Sequence, residues 1–90
     1  MITIHKYEVN SYGYTVMPKG AKILKTECQN NKVYVWAIVD EAAERVNRWI
    51  EVIGTGWEVS DRIKNSIYIG TCFVESFGLV WHVFDLGEER

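Results

Sequence analysis

Val33-Tyr34-Val35-Trp36-Ala37-Ile38-Val39 is apolar at every position, on both parities of an extended chain. Side chains that are β-branched or aromatic suit a pleated backbone. A strand apolar on both faces is one covered on both faces, so this run is expected at the centre of a sheet. Asn30-Asn31 stands just before it, and asparagine tolerates the left-handed conformations of a tight hairpin. Ala21 to Gln29 is therefore the preceding strand, paired antiparallel to the run. One step further back, Met17-Pro18-Lys19-Gly20 is a turn: proline presets φ and glycine takes a positive φ.

The same pattern continues outward in both directions. Ile2 to Val9 is β-branched and aromatic with weak alternation. Asn10-Ser11 is a break, Gly13 a bend or bulge, and Tyr12 to Val16 a short second strand. Downstream, Ile67 to Val74 and Leu79 to Phe84 form a hairpin around Ser76-Phe77-Gly78. Residues 54 to 66 form a loop with one helical turn near Ser60 to Lys64.

Asp40 to Ile53 supports two readings. As a helix it places Ala42, Ala43, Val46, Trp49, Ile50 and Ile53 on one face. Asp40 then caps the start, and Glu41–Arg45 and Glu44–Arg48 pair at i,i+4. As a strand from Arg45 it places Val46, Ile50 and Val52 together, with Arg48 interrupting them. Local pattern favours the helix. The fold class expected is mainly β: a small curved antiparallel sheet or two-layer β domain with room for one short helix. One domain spans residues 1–86, and residues 87–90 are an acidic tail expected to fray.

Ninety residues give a modest core, so self-association is expected to supplement it, most simply as a two-fold dimer. Twelve acids against ten bases leave no basic excess, which argues against coating duplex nucleic acid. No apolar run reaches membrane-spanning length, and Met1 to Lys6 has no signal-peptide apolar region. Two cysteines, Cys28 and Cys72, are far apart in sequence and are expected as free buried thiols in a reducing cytosol.

The chain shows no catalytic set. His5, Cys28, Cys72 and His82 lack the close-paired spacing of structural zinc ligands, so no metal is expected. No carboxylate pair stands out for acid–base work, and no cofactor fingerprint is complete: Val59 stands where a dinucleotide motif needs glycine. What remains is a set of binding residue types. Gly54-Thr55-Gly56 offers backbone amides to an anion, although a Gly-x-Gly is more often only a tight turn. Trp57 follows it, as an aromatic plane for a base. Arg45 and Arg48 flank Trp49, and Lys19 sits on the Pro-Gly turn; arginine forks bind phosphate and stack on rings. Four tryptophans exceed what so small a core hides, so one or two are expected at a pocket or interface.

Met17-Pro18-Lys19-Gly20-Ala21-Lys22-Ile23-Leu24, Trp36-Ala37-Ile38-Val39-Asp40, Gly54-Thr55-Gly56, Tyr68-Ile69-Gly70-Thr71 and Leu79-Val80-Trp81-His82-Val83-Phe84 together resemble the blocks of a family of small tailed-phage and prophage accessory proteins. Their order and spacing cover nearly the whole chain. The resemblance implies a loop and then a strand over residues 41 to 50, against the helix. It places histidine after Gly-Thr-Gly, where this chain has Trp57. It implies a phage origin, which makes the expected cytosol that of the host, and it brings no established enzyme activity to carry over. The function expected is sequestration, without chemistry, of a host immune nucleotide of cyclic nucleotide or cyclic ADP-ribose type. The pocket would draw on Lys19, Arg45, Arg48, Trp49, Gly54, Thr55, Gly56 and Trp57. The alternative is a small protein-binding inhibitor of a host defence or metabolic enzyme, acting through an aromatic patch or an open sheet edge.

Overall fold

A computed structural model describes residues 1–89. Seven strands, β1 (Ile2–Glu8), β2 (Thr15–Pro18), β3 (Lys22–Gln29), β4 (Lys32–Asp40), β5 (Arg45–Gly54), β6 (Ile67–Val74) and β7 (Leu79–Glu88), form two antiparallel sheets. Their orders are β1-β4-β3 and β2-β5-β7-β6. Short 3-10 turns at Asp61–Asn65 and Glu75–Phe77 are the helical elements. The sheets face each other, with β3 beside β6 along one seam and β2 more loosely beside β1 along the other. This is the expected mainly-β, two-layer domain. Among the described residues no helix is long and apolar enough to cross a membrane.

The turn chemistry works locally, as the residues demand. Asn30 and Asn31 take φ of 51° and 64° in the β3–β4 hairpin. Gly20 has φ of 79° in a turn closed by the Ala21 N–H on the Pro18 carbonyl at 3.2 Å. Gly78 is left-handed between β6 and β7.

β4 is central in its sheet, as its composition requires, but it is not buried on both faces. Val33, Val35, Ala37 and Val39 point at the second sheet and are buried, where they meet Met17, Ile50 and Val83. Tyr34, Trp36 and Ile38 lie half-buried on the outer face. A two-layer fold covers each sheet once; lysines supply the rest of the cover here. Lys6 Nζ stands 4.6 Å from the Tyr34 ring centre, and Lys25 Nζ 5.9 Å from that of Trp36. Their aliphatic stems shield the rings while the charge stays wet.

Residues 41 to 53 correct the helix reading. Asp40 does hold the Ala42 N–H at 3.0 Å, but Ala43 then bonds back to the Asp40 carbonyl and the chain reverses. Arg45 to Gly54 is a ten-residue strand. The i,i+4 pairs that favoured a helix contribute only about 0.2–0.5 kcal/mol each. As a strand, the segment instead pairs with β2 on one side and β7 on the other, and it buries Ile50 and Ile53.

The acidic end does not fray where the structure describes it. β7 continues to Glu88, whose Oε2 accepts the Gly20 N–H at 2.6 Å. Glu89 N–H reaches the Asn47 carbonyl at 2.8 Å. Gly87 and Glu88 pair with Trp49 and Arg48 of β5, and Glu89 bonds to the same strand, so residues 87 to 89 belong to the domain. Arg90 lies outside the described residues.

Candidate functional site

β2 pairs with β5 only from Arg45 to Arg48. Beyond that point the same side of β5 meets the loop that joins β1 to β2. Asn10 shapes this loop. Its Oδ1 accepts the Tyr12 N–H at 3.1 Å, its carbonyl accepts the Gly13 N–H, and its Nδ2 donates to the Tyr14 carbonyl. The resulting tip holds Tyr12 fully exposed.

Two neighbouring cavities flank Tyr12 and share Ser11, Tyr12 and Val52 as walls. The first, about 340 Å³, is lined by Tyr14, Trp49, Glu51 and Arg62. The second, about 350 Å³, is lined by Glu8, Lys32, Trp57 and Trp81. Together they make a groove whose walls carry aromatic rings, with Arg62 in one cavity and Lys32, 3.5 Å from Glu8 Oε1, in the other.

Each aromatic is fixed by a neighbour. Tyr14 meets Trp49 edge-on at 5.8 Å, and the Arg62 guanidinium lies 4.0 Å from the Trp49 ring centre. Trp57 meets Trp81 edge-on at 5.3 Å. Trp57 also folds back over Gly54: a Cβ there would stand 2.7 Å from its Cε2, so only glycine leaves room for the indole. Arg62 Nε is 3.4 Å from Glu51 Oε2, yet that buried oxygen accepts no hydrogen bond. The pair holds charge near the aromatic rings without saturating it.

The turn after β5 is closed by the Trp57 N–H on the Gly54 carbonyl at 3.1 Å. That amide is spent within the turn and not offered to an anion. Thr55 Oγ1 pairs with His82 Nε2 at 2.7 Å, and His82 Nδ1 reaches Thr71 Oγ1 at 3.2 Å; Tyr68 adds its hydroxyl to Thr71. These groups occupy the outer face of the second sheet.

The expected pocket residues do not converge as a set. Trp49 and Trp57 line the groove, with Gly54 beneath Trp57 and Gly56, at φ of 87°, turning the chain. Arg45 lies at the opposite end of β5, about 30 Å along the strand from Gly54 and about 13 Å from Trp49, and Lys19 lies beside it. There Arg45 Nη1 donates to the Ala43 carbonyl, and Lys19 Nζ stands 3.7 Å from Glu44. Arg48 is a structural residue. Its Nε and Nη2 grip the Asp85 carboxylate at 3.0 and 2.6 Å, and its Nη1 donates to the Ala21 carbonyl at 2.8 Å. The hydrogen bond to Asp85 raises the guanidinium pKa further above its ordinary range. Three of its five N–H donors are thus committed inside the fold, and the side chain is only 12% exposed, which turns it away from a ligand in solution.

Tyr12, Tyr14, Lys32, Arg62 and Trp81 are the groove residues that sequence reasoning missed. Tyr12-Gly13-Tyr14 did carry a signal, since two aromatics around a glycine in a break seldom build a core. Arg62 and Lys32 carried none. Among the described residues no three metal-ligating side chains gather. His5 Nε2 instead meets Glu41 Oε1 at 3.0 Å.

The chain belongs to the family described as Domain of unknown function (DUF7352), which matches residues 1–90. No curated protein and no solved structure matches it.

Proposed function

We propose that this protein is a binding module that sequesters a nucleotide-type ligand, without chemistry, in the groove between the Tyr12 loop and β5. The observation that carries the reading is the juxtaposition of Tyr12, Tyr14, Trp49, Trp57 and Trp81 with Arg62 and Lys32 along one groove. Aromatic planes accept a base by stacking, and the cations accept phosphate. Each cavity is of the size of small-molecule sites. We take the setting from the resemblance of the sequence blocks to small phage proteins: an anti-defence protein in the host cytoplasm that withholds a cyclic nucleotide or cyclic ADP-ribose-type signal.

The reading takes the protein as a homo-oligomer, most simply a dimer. Exposed Ile67, Tyr68, Phe73 and Leu79 support this, since they lie along the β6–β7 hairpin with little cover. The same apolar stretch favours a second reading, a small inhibitor that docks on a host enzyme.

Native mass spectrometry reports oligomer and bound ligand together. Calorimetry against cyclic nucleotides and cyclic ADP-ribose isomers then tests the groove. Trp57→Ala is expected to cost about 1–3 kcal/mol of binding through lost stacking. Arg62→Ala is expected to cost about tenfold or more in affinity through a lost charge-assisted hydrogen bond. If the folded protein binds none of the panel and captures a host protein instead, the inhibitor reading replaces sequestration.

A further inference from the structure

The seam between the sheets holds reactive groups that the groove does not use. β3 and β6 are outer strands of different sheets and run side by side without pairing. They touch at Gly70, where a Cβ would come within 3.2 Å of Thr26 Cγ2. Two residues along β3 from Thr26 is Cys28, and two along β6 from Gly70 is Cys72. A step of two returns each strand to the same face. The cysteines therefore follow the contacting pair on the facing sides of the seam. Both line one cavity of about 410 Å³, together with Asn30, Asn31 and Glu75. Both are free thiols; Cys72 is buried, and Cys28 is only half-buried, against the expectation that both are hidden.

The thiols also sense each other. Burial first, and then the Cys28 thiol beside it, push the Cys72 pKa up to about 12. Cys72 is thus a poor first nucleophile at neutral pH, while Cys28 faces the cavity and meets a reagent first.

We propose that Cys28 and Cys72 form a redox pair across the seam, closing into a reversible disulfide by exchange with a low-molecular-weight disulfide such as glutathione disulfide. The Cys28 thiol gives up its proton to solvent, and its sulfur attacks one sulfur of the reagent. The reagent's S–S bond breaks, one glutathione thiolate leaves, and Cys28 becomes a mixed disulfide. Cys72 then loses its proton, and its sulfur attacks that of Cys28. The mixed disulfide breaks, and the second glutathione thiolate leaves with its electron pair. The protein is oxidised by two electrons, and the reagent is reduced to two thiols. Capping Cys28 also removes it as an ionisable neighbour, which eases deprotonation of Cys72 for the second step. The product ties together two sheets that share no backbone ladder at this seam.

The test is intact-mass spectrometry of the purified full chain incubated with excess glutathione disulfide. The wild type is expected to lose two hydrogens and to yield a joined Cys28–Cys72 peptide pair that reductant separates. Cys72→Ser is expected to stop at a stable glutathione adduct on Cys28, and Cys28→Ser to remain unmodified. The oxidised wild type is expected to melt higher by at least about 5 °C, because the bond constrains the unfolded chain. The proposal is overturned if the wild type stays reduced, keeps glutathione, or links only between chains. Adduct formation on Cys72 in Cys28→Ser at the wild-type rate also overturns it.

Discussion

Asp85→Ala tests the claim that Arg48 holds the fold together and is not a ligand arginine. Arg48 and Asp85 side chains are only 12% and 7% exposed. They share two charged hydrogen bonds, and Asp85 Oδ1 also accepts the Gly87 N–H at 2.9 Å. Removing the carboxylate strands a guanidinium that retains the Ala21 carbonyl and a distant Glu88 oxygen at 4.0 Å. Breaking one side of a buried pair costs about 3–5 kcal/mol, and Glu88 places this case near the lower end. A chain of this size has roughly 5–13 kcal/mol in total, so a loss of about 3 is a large share. At about 4–8 °C per kcal/mol, the melting temperature should fall by about 12–24 °C. Urea unfolding followed by tryptophan fluorescence measures it. The double variant Arg48→Met/Asp85→Leu fills the same space without stranding a charge. It should return to within about 1–2 kcal/mol of the wild type, with its groove affinity unchanged. A cost below about 1 kcal/mol for Asp85→Ala, or a double variant as unstable as the sum of the singles, would refute the reasoning.

Gly54→Ala should displace Trp57, since a Cβ would overlap the indole. Trp57 is 59% exposed and can swing out, so stability should fall by only about 1–2 kcal/mol, while the groove loses a wall. A red-shifted tryptophan emission with weaker ligand binding is the expected result, and an unchanged spectrum counts against the packing described. The Cys72 thiol, raised from 9.0 to about 12, gives a pH prediction. Between those values the unfolded chain has lost a proton that the folded chain keeps. Stability present below the unfolded pKa is therefore lost as pH rises toward the folded one, with a slope approaching about 1.4 kcal/mol per pH unit. Urea midpoints above about pH 9 should fall more steeply in the wild type than in Cys72→Ser; parallel slopes would sink the assignment.

The amino-acid sequence by itself determined what depends on neighbouring residues. Asn30-Asn31, Pro18 to Gly20 and Gly78 fix their turns through φ preferences that need no distant partner. The β-branched runs between them then have little choice but antiparallel pairing, and the apolar run from Val33 to Val39 sits centrally because nothing else can cover it. The tertiary structure decided what depends on residues far along the chain. Residues 40 to 53 carry a respectable helix pattern, and Arg45 to Gly54 become a strand because β2 and β7 satisfy their backbone from opposite sides. Lys6 and Lys25 arrive from flanking strands to shield a face of β4 that composition assigned to the interior. The candidate site was half legible. Trp49 and Trp57 were identifiable as aromatics in excess of the core. Arg62 became a groove residue only when its 3-10 turn laid it over Trp49. Arg48 left the ligand set because its partner, Asp85, lies in a strand far downstream. A buried guanidinium must find its carboxylate wherever the sheet register places one, and register is a property of the assembled sheet.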